Sequence, residues 1–131
     1  MYLLYNKKMK VLVFNKNEKT RMVVGQLLKE LSFNVILAEN EEQMLDALKT
    51  ESLDIAFLDI SSIEDFPLAI ERVLRYKKQS YILMAIEQDD RYAKTEALLK
   101  GIDDYIYNDF RLEELSAKFR AIVRILNKRL T

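Results

Sequence analysis

Histidine and cysteine are both absent from this chain. Without cysteine there is no disulfide framework and no thiolate chemistry. Without histidine the usual general base at neutral pH and the commonest metal ligand are gone. Two glycines and one proline leave no glycine-rich phosphate loop and no flexible linker. An excess of charge of one sign is missing too: 21 basic residues balance 21 acidic ones, which argues against non-specific nucleic-acid binding. No apolar run approaches the ~18 residues a membrane span needs, and the amino terminus lacks a signal peptide's apolar core. The expected compartment is the cytoplasm.

What remains describes a soluble globular protein, 50% hydrophobic and 32% charged over 131 residues. That length suits one domain, able to bury roughly two-thirds of its unfolded surface. Residues 1–8 precede a second natural beginning at Met9, so the expected domain is 9–131 behind a short extension. That stretch is either a plain extension from an upstream start codon or, with Tyr2, Leu3, Leu4 and Tyr5, a short apolar arm that docks on a partner.

Strands and helices alternate along the domain. Residues 10–14 are apolar and β-branched-rich, a buried strand. Asn17 caps a helix whose expected inner face carries Met22, Val23, Leu27, Leu28 and Leu31. A second strand at 34–38 leads to Asn40, the cap of a helix through Met44, Leu45 and Leu48. A polar connection ends in Pro67, suited to a helix's first turn, and that helix should reach about residue 78. A strand at 81–86, a helix at 91–100 closed by Gly101, a short strand at 102–107 and an amphipathic helix at 112–127 complete the chain. Five such units predict an α/β fold with a parallel sheet in the order 2-1-3-4-5, a flavodoxin-like three-layer sandwich.

The chain is organised around the third strand. Ile55, Ala56, Phe57 and Leu58 are apolar without a break, as in a strand buried on both faces, and the run stops at the carboxylate of Asp59. In an open α/β sheet the carboxyl ends of the strands open onto the ligand crevice. With strands one and three as neighbours, Asn15, Lys16 and Asp59 converge there, and Ile86 and Asn108 complete the rim.

At this point the sequence resembles the receiver domain of two-component response regulators. The likeness rests on Phe57-Leu58-Asp59-Ile60, on Gly101-Ile102-Asp103-Asp104-Tyr105-Ile106, and on Phe110 followed by Glu114-Leu115. It implies that Asp59 matches the aspartate that accepts a phosphoryl group from a histidine kinase. It also implies an acidic pair holding Mg²⁺, a Thr or Ser after strand four, and a Lys before a proline after strand five. Here those positions carry Asn15 and Lys16, Ile86, and Asn108 followed by Asp109. The family's loop after the acceptor is replaced by 62–67.

The replacements change the expected chemistry. Mg²⁺ wants hard oxygens, usually with one or two carboxylates. Lys16 opposes a cation in that seat: unit charges ~4 Å apart interact by ~4 kcal/mol at an effective dielectric of 20. It is placed instead to pair with Asp59. The resulting expectation is an atypical receiver, not an enzyme and without a cofactor, acting by protein contact. Two alternatives keep Asp59 as a phosphoacceptor. In one, Lys16 supplies the missing positive charge. In the other, Mg²⁺ is held through Asp59 with Glu18 or Glu64. An unrelated nucleotide- or flavin-binding domain lacks any phosphate loop in its support.

The resemblance also implies an interaction face made by helix four, strand five and helix five. Lys94, Asp103, Asp104, Glu114, Lys118 and Arg120 form a matching charged set, with Lys94 to Glu114 and Asp104 to Lys118 as pairs across a two-fold. Such a face suits a homodimer; a solvated charged face is the alternative. Tyr105 stands at the family's switch aromatic. The partner implied is a protein, a sensor kinase or an output domain, with neither membrane nor direct nucleic-acid contact by this domain. Arg120, Arg124 and Lys128 make a basic stripe that complements the last helix's carboxyl end or docks a partner.

Overall fold

A computed structural model describes residues 1–4, 6–60 and 63–131. Tyr5 of the arm and Ser61 and Ser62 of the loop after Asp59 lie outside the described residues.

Five parallel strands form one sheet: β1 (Lys10–Phe14), β2 (Asn34–Ala38), β3 (Ile55–Asp59), β4 (Tyr81–Ile86) and β5 (Asp104–Tyr107). Their order is β2-β1-β3-β4-β5, as the alternation of elements predicts. The helices between and after them are α1 (Glu18–Glu30), α2 (Glu41–Thr50), α3 (Phe66–Tyr76), α4 (Arg91–Lys100) and α5 (Leu112–Arg129). Side chains alternate across the pleat, so each inner strand feeds two core layers. Leu12, Phe14, Ala56, Leu58 and Met84 pack with Met44 and Leu48 of α2 and Ile70 and Val73 of α3. Val11, Val13, Ile55, Phe57 and Leu83 pack with Val24 and Leu28 of α1 and Leu115, Phe119 and Ile122 of α5.

The caps follow local chemistry. Asn17 Oδ1 accepts from Thr20 N at 2.9 Å, and Asn40 Oδ1 accepts from Gln43 N at 2.8 Å. Pro67 sits in the first turn of α3, which Asp65 caps. Gly101 closes α4 in the left-handed conformation at φ 118°. β5 starts at Asp104 rather than at residue 102, because the Asp103 carboxylate takes the Ile82 N–H at 2.7 Å. α3 ends at Tyr76, short of the expected 78, and α5 runs on to Arg129.

One expectation fails. Met22 and Val23 are 57% and 42% exposed, whereas α1 buries Arg21, Val24, Gly25 and Leu28. The inward stripe therefore follows 21, 24, 25 and 28 at helical spacing. Gly25 decides the rotation: a Cβ there would meet Leu37 Cδ2 at 3.1 Å, so α1 approaches β2 where it has no side chain.

The extension folds back on its own domain. Tyr2 and Lys8 form an antiparallel bridge, and Met9 N donates to the Met1 carbonyl at 3.0 Å. The Met1 amino group donates to the Leu31 and Ser32 carbonyls at the end of α1. Asn127 Nδ2 of α5 reaches the Tyr2 carbonyl at 3.4 Å. Met1 and Leu3 add apolar contact to the layer under α1 and α5.

Candidate functional site

The register brings the expected crevice together at the sheet's carboxyl edge. Phe14 pairs with Leu58, so Asn15 follows β1 beside Asp59, the last residue of β3. Asp59 in turn pairs with Ala85, which puts Ile86 one step beyond it at the end of β4. The Asn108 N–H donates to the Ile86 carbonyl at 2.8 Å, fixing the turn after β5 on the same edge.

Asn15 is the hub. Its Nδ2 donates to Asp59 Oδ2 at 3.4 Å, and its Oδ1 accepts from Asn17 N at 2.9 Å. Its backbone carbonyl accepts from Arg21 Nη1 at 2.8 Å. Arg21 is only 8% exposed, and its other guanidinium nitrogen lies 3.5 Å from the exposed Glu39 carboxylate. A buried guanidinium therefore stands directly behind the crevice. Sequence reasoning missed it because it read the helix face from apolar residues alone. The available signal was a charged residue three before Val24 and seven before Leu28.

Lys16 is exposed at the mouth of the crevice. It lines a cleft of about 510 Å³ with Glu41, Glu64, Asp65 and Arg72. Arg72 pairs with Glu41 at 3.2 Å, and Asp65 is committed to capping α3. Glu18 is exposed in the first turn of α1. Among the described residues, no group of three or more acidic side chains is arranged to hold a metal ion. Ile86 is buried in the layer with Ile82 and Met84, while Asn108 and Asp109 are exposed.

This arrangement of elements has known counterparts. A family model described as the response regulator receiver domain matches residues 11–120. The chain belongs to the response-regulator receiver family. The transcriptional regulatory protein CpxR of Escherichia coli K12 is 30% identical over 115 residues, which cover 88% of this chain and 49% of that protein. This receiver thus spans about half of that relative's length. A response regulator from Thermotoga maritima superposes with a TM-score of 0.78 at 26% identity, covering 89% of this chain and 98% of the other. A CheY-like receiver domain from Methanospirillum hungatei JF-1 superposes with a TM-score of 0.84 at 17% identity, covering 94% and 99%, a likeness of fold alone.

Receivers are signalling domains of two-component systems, and this one also carries the charged face of α4, β5 and α5. Asp104 and Lys118 meet at 3.2 Å within one chain. Asp103 is occupied by the Ile82 N–H. The Lys94 ammonium lies 4.8 Å from the centre of the Tyr105 ring, and the Tyr107 ring lies 5.7 Å from it, tilted by 60°. Glu114 and Arg120 are exposed, and neither has an ion pair among the described residues. No described helix of the receiver is long and apolar enough to cross a membrane.

Proposed function

We propose that this receiver is an atypical one that signals by protein–protein contact, without phosphorylation of Asp59. The observation that carries the reading is the Asn15 to Asp59 hydrogen bond backed by the buried Arg21. Where the family places an acidic pair, this chain offers a neutral amide, a lysine and a guanidinium. Asn15 Oδ1 already accepts one hydrogen bond, from the Asn17 N–H. Such a donor set does not fit Mg²⁺, which asks for carboxylate oxygens and leaves no role for two adjacent cations. Ile86 supplies no hydroxyl and Asn108 no cation toward the phosphoryl position, so the charge of a transferring group would go unmet.

The proposed contact surface is the face of α4, β5 and α5. Glu114 and Arg120 are its unengaged charges, and Lys94 is held beside the switch aromatic Tyr105. The partner is a protein in the cytoplasm: a sensor kinase, an output domain or a second copy of this chain. The similarity to a transcriptional regulator supports an output tied to transcription.

Intact mass after incubation with Mg²⁺ and a small-molecule phosphodonor tests the reading, with Asp59→Asn beside wild type. No adduct on either folded protein is the expected result. An adduct on wild type alone would establish the second reading, a phosphoacceptor, which the position of Asp59 at the end of β3 favours. Sedimentation of wild type against Glu114→Lys tests the homodimer. Identical monomers at high concentration would remove it.

A further inference from the structure

At the opposite edge of the sheet, a pocket of about 780 Å³ opens beneath the amino-terminal ends of β3 and β4. Its size falls in the range of small-molecule sites. Leu3, Leu53, Leu126 and Leu130 give it apolar walls contributed by the arm, the start of β3 and the end of α5. Beside the neutral Ser52 and Gln79, its charged groups are mostly of one sign: Lys7, Lys77, Lys78 and Arg129 against Asp54, in a chain whose net charge is zero.

The cations are poorly neutralised. Among the described residues Asp54 is the one carboxylate on the lining, and it accepts from Lys10 N at 2.8 Å while Lys7 lies 3.8 Å away. Among the described residues Lys77 and Lys78 reach backbone carbonyls, Lys77 that of Ser80 at 3.4 Å and Lys78 those of Lys49 at 2.9 Å and Glu51 at 3.4 Å. Arg129 lies over the Tyr81 ring at 5.7 Å. The carboxyl ends of α3 and α5 contribute roughly half a negative charge each, which still leaves the pocket about two charges positive.

From this we infer that the pocket binds a small amphipathic anion, with a phosphate or carboxylate head on a single alkyl body. Lys77 and Arg129 hold the head, and the leucines cover the chain. The inference is independent of the crevice at Asp59, which lies at the other end of β3.

Decyl phosphate below its micellar concentration is the probe, followed by calorimetric titration of the full chain. The expected result is saturable one-to-one binding, weakened about tenfold or more in Lys77→Gln/Arg129→Gln, as loss of charged hydrogen bonds implies. Thermal unfolding of the unliganded variant should match wild type, since both side chains reach solvent. If the double variant is destabilised, Lys77→Gln alone must still weaken binding for the inference to stand. No saturable binding would overturn it, as would equal affinity in the variants. Inorganic phosphate or decyl maltoside binding as tightly as decyl phosphate would overturn it too, by showing that walls or head contribute nothing.

Discussion

Arg21 and Asn15 are joined across the first turn of α1: the guanidinium Nη1 donates to the Asn15 carbonyl oxygen at 2.8 Å. This bond satisfies a buried acceptor and fixes a cation behind the residue that contacts Asp59. Its geometry couples a packing decision, the rotation of α1, to the electrostatics of the crevice.

Replacing Arg21 with Met should therefore cost stability even though no charge is left stranded on Arg21 itself. The Asn15 carbonyl loses its partner, and a buried unsatisfied acceptor costs about 1–3 kcal/mol. Urea denaturation reads this directly. A midpoint equal to wild type would mean that water replaces the guanidinium without loss.

Restoring an acidic pair should create metal affinity. Asn15→Asp with Lys16→Asp puts two carboxylates beside Asp59 and removes one opposing cation. Titration with Mg²⁺, followed by amide NMR shifts, should saturate in the double variant and not in wild type. Equal saturation in both would show that the native residues already build a cation site.

The exposed and buried sides of α1 should separate in stability. Leu28→Ala removes a fully buried side chain and should cost about 2–5 kcal/mol. Met22→Ala, at an exposed position, should stay within about 0.5 kcal/mol of wild type. Equal costs would contradict the observed rotation of the helix.

Tyr81 should make the fold sensitive to alkali. Burial, then the charges of Asp104 and Asp103, push its phenol up to about 12 against an ordinary value of 10.0, with Arg129 opposing. The unfolded chain thus gives up this proton first. The stability linked to Tyr81 is fully present below about pH 10 and is lost as pH rises towards the folded value. Denaturation midpoints of wild type and Tyr81→Phe, compared from pH 8 to 12, should show an extra fall in wild type only. Parallel profiles would remove Tyr81 as the cause.

The Asp104 to Lys118 pair should behave as an intrachain contact. Both side chains are about 30% exposed, so a double-mutant cycle should give a coupling of about 0–1 kcal/mol. That coupling should not change with protein concentration. A coupling that grows as protein is concentrated would return the pair to an interface between copies.

Much of this protein was legible in its sequence, because local chemistry and periodicity carry the information. The unbroken apolar run at 55–58 marked a strand buried on both faces, and the run at 81–86 marked another strand. Asn17, Asn40 and Gly101 marked helix ends by capping chemistry. The alternation of units then led to the sheet order, and the sheet order brought Asn15, Asp59, Ile86 and Asn108 to one edge.

Tertiary structure decided what periodicity leaves degenerate. A helix with apolar residues at 22, 23, 24, 27 and 28 can turn more than one face inward. Only the approach of Gly25 to Leu37 selects the face that exposes Met22 and buries Arg21. Charged pairs are degenerate in the same way, since one set of residues can pair within a chain or between chains. Asp104 closes on Lys118 because β5 and α5 bring them together in space, a distance that no spacing along the chain states.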